Sequence, residues 1–158
     1  MDVSRLFLIR HAHAGDRASW KAPDDQRPLS DKGWRQAHGL VPLLEAEHID
    51  HVRSSPSLRC VQTVVPLAKA RGLTVEDEPN LLEGRGPLEA FAALEHALQE
   101  VSVAASTHGD LIPELLELAE ERGAVLPDEV RWPKGCTWVF DYDHGRWHLL
   151  RYLAPPPS

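Results

Sequence analysis

Arg5-Leu6-Phe7-Leu8-Ile9-Arg10-His11 is the stretch on which the fold turns. Four apolar residues stand in a row between two arginines, too few for a helix and without the polar alternation of a half-exposed strand. Such a run reads as a strand over residues 5–10, buried on both faces as in a parallel sheet. Parallel neighbours need crossover connections, so helices should follow.

From 11 to 29 the chain is polar and punctuated by Gly15, Pro23 and Pro28, which makes a long loop. Ser30 is placed to cap a helix over 31–47, with Leu40, Leu43 and Leu44 on one stripe and Pro42 expected to bend it. A brief strand over 51–54 leads to Ser55-Pro56, read as an N-cap followed by proline at the first helical position. That helix would run to Ala70 with Val61, Val64, Val65 and Ala68 inward, and stop at Gly72. Further strands are expected over 73–76 and 101–106. Helices are expected over 87–100, with Leu88, Phe91, Ala92, Leu94 and Leu98 on the apolar side, and over 111–122. Residues 136–142 and 146–152 flank Asp143-His144-Gly145 as a hairpin. Strands alternating with helices give the α/β class, here a three-layer α/β/α sandwich around a mainly parallel central sheet.

The 158 residues suit one domain, at roughly 100–200 residues per domain. Residues 1–153 are assigned to it, and 154–158, with three consecutive prolines, to a flexible tail. Seventeen Lys+Arg against 24 Asp+Glu leave a net charge of -7, which argues against nucleic acid or an anionic membrane as a partner held by bulk charge. Residues 1–40 nevertheless hold 7 Lys/Arg against 5 acids, a local excess that suits a small anionic ligand. Cys60 and Cys136 make neither a disulfide framework nor a zinc pattern and read as small buried hydrophobes of a reducing compartment. No run approaches the roughly 20 apolar residues of a membrane span, and the expected location is cytoplasmic.

Three strand ends carry residues suited to one task. The first ends in Arg10-His11, the second leads through Ser54-Ser55-Pro56 to Arg59, and the strand over 101–106 leads into Thr107-His108-Gly109. In a parallel sheet these converge at the edge where α/β proteins bind ligands. Two guanidiniums, two imidazoles and the helix N-terminus near Pro56 make a cradle for a phosphoryl group. No lysine belongs to this cluster, which favours bidentate gripping over a point charge. A neutral imidazole is able to attack phosphorus, and nearby arginines should keep His11 neutral. A leaving group also needs a proton. Glu83 is the first choice of donor and Asp24, three residues before Arg27, the second.

Leu8-Ile9-Arg10-His11-Ala12, Arg27-Pro28-Leu29-Ser30, the segment from Ser54-Ser55-Pro56 through Arg59 to Thr63, and Thr107-His108-Gly109-Asp110 together resemble the histidine phosphatase (phosphoglycerate mutase-like) superfamily. The short length and the Arg-Pro-Leu segment look most like its small SixA-type branch. Ala14-Gly15-Asp16-Arg17 with Lys21, and Trp138-Val139-Phe140 after Lys134-Gly135, are also similar to the phosphatase half of actinobacterial two-domain MutT-type Nudix hydrolases. The resemblance implies a phosphoglycerate mutase-like fold and a phosphatase with His11 as the phosphorylated nucleophile. It implies that Arg10, Arg59 and His108 hold the phosphate, that Glu83 stands where many members keep their proton donor, and that no cofactor is needed. Ala12 replaces the commoner glycine, and Arg17 lies where many mutase-like members have asparagine, so mutase activity is not implied.

The expected partner is a phosphorylated small molecule, a nucleotide or a phosphohistidine protein, with Arg17 and Arg27 as further substrate contacts. A metal-dependent hydrolase using His11 and His13 is the alternative enzyme class, and a non-catalytic phosphate-binding module the alternative outside catalysis. Among the tryptophans, Trp20 alone suits a pocket rim.

Overall fold

In the computed structural model, which describes residues 3–158, the expected strands join into one sheet. The first two residues of the expected domain lie outside it. The strands are β1 (Ser4–Arg10), β2 (His51–Ser54), β3 (Val75–Asp77), β4 (Val103–Thr107), β5 (Thr137–Asp143) and β6 (Arg146–Leu153), in the spatial order β3-β2-β4-β1-β5-β6. β3, β2, β4 and β1 run parallel, and the β5–β6 hairpin adds two antiparallel strands beside β1. The turn between them holds His144 at φ 48° and Gly145 at φ 88°, the two left-handed positions of a type I′ hairpin.

Helices α1 (Asp31–Leu43), α2 (Leu58–Ala70), α3 (Pro87–Leu98) and α4 (Leu111–Glu121) cover the sheet. Successive strand residues face opposite ways, so β1 serves both layers. Leu6 and Leu8 pack with Phe91 and Leu94 of α3 and Ile112 and Leu115 of α4. Phe7 and Ile9 pack with Leu40 of α1 and Val64 and Leu67 of α2. All four β1 side chains are at most 1% exposed, each worth about 1.5–3 kcal/mol of burial. This is the expected three-layer α/β/α sandwich with a mainly parallel sheet.

Several local expectations give way. α1 ends at Leu43 rather than near residue 47, which leaves Leu43 41% exposed beside the buried Leu40 and Leu44. α2 begins at Leu58 with Ser57 as N-cap, so Ser55-Pro56 precedes the helix instead of starting it. Its buried face carries Arg59, Thr63 and Leu67, while Val61 and Val65 are only partly covered. Leu88 is 70% exposed and Ala92 is exposed as well, because the inward face of α3 runs through Ala90, Phe91, Leu94, Ala97 and Leu98. The end of the chain is not free of the fold. Pro156 is buried against Gly39 of α1, where a Cβ would meet the Pro156 Cβ at 2.4 Å, and Pro155 lies by Gly135.

No helix among the described residues is long and apolar enough to cross a membrane.

Candidate active site

The carboxyl ends of β1, β2 and β4 are tied together by backbone hydrogen bonds, His11 N–H to Thr107 O at 3.0 Å and Ser55 N–H to Ser106 O at 2.9 Å. That tie brings residues about 100 positions apart to one edge. A cavity of about 300 Å³ opens there, lined by Arg10, His11, Arg17, Arg27, Glu83 and Lys134 together with Gly15, Asp16, Gly109 and Asp110.

His11 is 4% exposed, and its Nδ1 lies 2.8 Å from the Ala12 carbonyl oxygen. A carbonyl only accepts, so Nδ1 carries the proton and Nε2 the lone pair. Burial, reinforced by the charges of Arg59, His108 and Arg10, pushes the imidazole down to about 3. It is neutral at pH 7. Ala12 N–H in turn donates to Thr63 Oγ1 at 2.9 Å, whose hydroxyl donates to Arg59 O at 2.7 Å, so α2 fixes the carbonyl that sets this tautomer.

The His108 ring meets the His11 ring edge-on, with centroids 5.6 Å apart. Its Nε2 is 2.8 Å from Ser55 Oγ, and its Nδ1 is 3.4 Å from Arg59 Nη2. The guanidinium only donates, so Nδ1 accepts and Nε2 holds the proton. Burial and then Arg59 push His108 down to about 4, against the opposing pull of Glu83 and Asp110. The buried Cys60 Sγ lies 3.5 Å from the same Nε2, and burial pushes its thiol up to about 12.

Arg59 is 1% exposed. It donates through Nη1 to Asp24 O at 2.8 Å and through Nη2 to Asp24 Oδ2 at 3.0 Å, and Glu83 Oε2 stands 3.5 Å away. Arg10 donates through Nη1 to Trp132 O at 2.8 Å. The Nε atoms of both arginines are buried without a partner. Two unpaired buried donors of this kind are costly unless a ligand completes them. Gly109 makes room for Arg10, since a Cβ there would lie 2.5 Å from Cζ of the guanidinium.

The two candidate acids differ. Asp24 contacts Arg59, Arg27 at 3.2 Å and Arg17 at 3.4 Å. Burial opposes its ionisation, but the hydrogen bond from Arg27 and the charges of Arg59 and Arg17 outweigh it, and its pKa is lowered. Asp24 is a clamp on three guanidiniums and is not among the cavity's lining. Glu83 lines the cavity, is 39% exposed at its side chain, and is held by Arg17 at 3.0 Å.

Sequence reasoning missed several parts. Lys134 lines the cavity, which corrects the reading of a lysine-free cluster; burial and then the neighbouring arginines lower its pKa. The helix N-terminus expected at Pro56 lies at Leu58, and the Ser55 hydroxyl serves His108 instead. Ser55 and Thr63 stood in the quoted motif, where hydroxyls flanking Arg59 were the available signal. His13 is not part of the cavity's lining. Its Nδ1 is 2.6 Å from Ser30 Oγ, and among the described residues no group of three or more His, Cys, Asp or Glu is arranged to hold a metal ion.

Residues 6–89 match the family model of the histidine phosphatase superfamily (branch 1). The 8-oxo-(d)GTP phosphatase of Mycolicibacterium smegmatis is 34% identical over 165 residues, covering 99% of this chain and 50% of that protein. The chain thus spans about half the length of this curated relative. The solved structure of the protein histidine phosphatase SixA complexed with tungstate superposes with a TM-score of 0.74 at 22% identity, covering 96% of this chain and 97% of that one. The phosphoglycerate mutase of Bacillus anthracis str. Sterne superposes with a TM-score of 0.73 at 16% identity, covering 94% and 92%. At these identities the two superpositions speak for the fold.

Proposed function

This chain belongs to the histidine phosphatase superfamily, and on that premise we propose that it hydrolyses a phosphorylated substrate without a metal, through a phosphohistidine on His11. The observation that carries the reading is the tautomer of His11, protonated on Nδ1 and neutral, in a cavity that Arg10 lines and that Arg59 adjoins through Glu83, each arginine keeping an unpartnered Nε donor.

A phosphoryl group entering this cavity accepts from Arg10 Nε and Arg59 Nε, and Lys134 adds a point charge. Its negative charge favours a second proton on His108, whose Nδ1 then becomes a donor to phosphate. The His11 Nε2 lone pair attacks phosphorus while the bond from phosphorus to the leaving oxygen or nitrogen breaks. Glu83, protonated from solvent beside the dianion, gives its proton to that leaving atom. Water then attacks phosphorus, the Glu83 carboxylate takes its proton, and the P–Nε2 bond breaks. Nδ1 keeps its proton, donated to Ala12 O, throughout, so the imidazole leaves neutral. Stabilisation of the transferring group by fixed donors is the main catalytic contribution of such a site.

The substrate class is a phosphorylated small molecule, a nucleotide or a phosphohistidine protein, supported by the names of the nucleotide-acting and protein-acting relatives. The test measures phosphate release in the presence of a chelator for the wild type and His11→Ala, with acid-labile radiolabel trapped on the protein. Release that survives the chelator and disappears in the mutant is expected. Release retained by His11→Ala, or label on another residue, would overturn the mechanism.

A further inference from the structure

Beside the phosphate cavity lies a second, shallower cleft of about 220 Å³. Its walls are Ala14, Ser19, Trp20, Pro28, Leu29 and Ser30, and it shares Gly15, Asp16 and Arg27 with the phosphate cavity. Resting on the reading of His11 as the phosphoryl acceptor, we propose that this cleft seats a planar aromatic ring of the substrate, separated from its phosphate by a linker, which is the plan of a nucleotide.

Four observations carry this. Trp20 is 37% exposed, and it is the only tryptophan bordering either cavity among the described residues. Its indole Nε1 donates to Pro23 O at 3.0 Å, which orients the ring and consumes its one donor. What the indole then offers a ligand is a π face, and stacking on an aromatic face is how proteins hold bases without reading their edges. Second, Pro28, Leu29 and Ala14 complete a mainly apolar wall, in contrast to the charged lining of the neighbouring cavity. Third, complete ligand pockets are about 300–1,000 Å³, so a cleft of 220 Å³ fits a portion of a ligand whose remainder lies elsewhere. The shared Arg27, pinned by Ala14 O at 2.7 Å and Asp24 at 3.2 Å, marks where that remainder is.

The fourth observation is the division of the lining. Trp20 borders the second cleft and not the first, so a ring stacked on it stands away from His11. The ester must place a linker along Gly15 and Asp16, and the sugar of a nucleotide is a linker of that kind.

The test compares kcat/KM for a nucleoside 5′-monophosphate and for glycerol phosphate in the wild type, Trp20→Ala and Trp20→Phe. The ratio of the two is expected to fall about tenfold in Trp20→Ala, the order of one lost stacking contact, and to recover in Trp20→Phe. An unchanged ratio in Trp20→Ala would overturn the proposal, as would equal loss in both variants. A second measurement separates this failure from that of the phosphatase reading. Calorimetric titration of the His11→Ala protein with the same nucleotide and with inorganic phosphate is expected to show tighter binding of the nucleotide, a preference lost on adding Trp20→Ala. If no substrate turns over but this preference is present, the mechanism falls and the ring site stands; equal affinity for the two ligands removes the ring site.

Discussion

Asp24 holds Arg59 by both ends of the guanidinium fork, its backbone oxygen on Nη1 at 2.8 Å and its carboxylate on Nη2 at 3.0 Å. The arginine is buried, while the carboxylate keeps 37% of its surface in solvent. The pair orients Arg59 so that its remaining donor, Nε, is the unpartnered one.

If Asp24 is a clamp and Glu83 the proton donor, their amides should fail differently. Asp24→Asn keeps the backbone contact and removes the charge that Arg59, Arg27 and Arg17 share, at a cost of about 1–3 kcal/mol in folding stability, and raises KM more than it lowers kcat. Glu83→Gln should lower kcat about 100-fold or more for a poor leaving group and far less for an aryl phosphate, whose leaving oxygen needs no proton. Steady-state kinetics on the two ester types, with urea unfolding of each variant, checks both; the opposite assignment follows if the leaving-group dependence belongs to Asp24→Asn.

Stability should fall as the solution is acidified from neutrality, for a reason located in the site. An unfolded imidazole protonates near 6.5, whereas His11 and His108 resist until about 3 and about 4. Between those values the unfolded chain binds protons that the folded chain refuses, so the stability is fully present above about pH 6.5 and is lost below it. Each histidine contributes a slope of about 1.4 kcal/mol per pH unit. Urea midpoints at pH 5, 6, 7 and 8 should show it, with a shallower fall in His108→Gln; a flat profile would contradict the burial of these groups in neutral form. For the same reason the acid limb of kcat/KM should not report titration of His11.

Gly109→Ala tests the phosphate grip. The added Cβ would fall 2.5 Å from Arg10 Cζ, so the guanidinium must leave its place, including its bond to Trp132 O. Because the displaced atoms end a flexible side chain, the fold should lose no more than about 1 kcal/mol. Affinity for inorganic phosphate should drop about tenfold or more. Calorimetry reads the second quantity and thermal melting the first; unaltered phosphate affinity would mean Arg10 does not hold the ligand.

Gly33→Ala should be worse for the fold. Here the Cβ would lie 1.9 Å from the His13 carbonyl oxygen, which is backbone and is also the acceptor for Ser30 N–H at 3.0 Å. Either α1 or the segment that follows His11 must shift, at about 1–3 kcal/mol or more. Thermal melting should show a lowered midpoint together with reduced activity, and a normal melt would contradict this packing.

The strand ends were readable because apolar runs terminate there and parallel pairing then forces their last residues together. Nothing else is needed to bring Arg10, His11 and His108 to one edge. Ser55 was misread because a serine before proline suits a helix cap, and only the third dimension reveals that its hydroxyl faces His108. The segment leading into β5 has no periodicity, so the arrival of Trp132 and Lys134 beside Arg10 had no signal. Helical period puts Leu88 with Phe91, but at the first turn of α3 the inward face has not yet begun and Leu88 stands in solvent. The choice between Glu83 and Asp24 required contacts between loops, which no pattern in the chain encodes.

Cys60 sits against His108, its sulfur 3.5 Å from Nε2, and does not reach the cavity. Its thiol is fully buried and pushed up to about 12, and Cys136 is buried and raised to the same value. Neither sulfur offers thiolate to an oxidant at neutral pH. Phosphoryl transfer assigned to an imidazole, with its sulfurs sealed away, gives a catalyst whose activity should persist through peroxide exposure that silences cysteine-dependent phosphatases, and whose assay should need no added reductant.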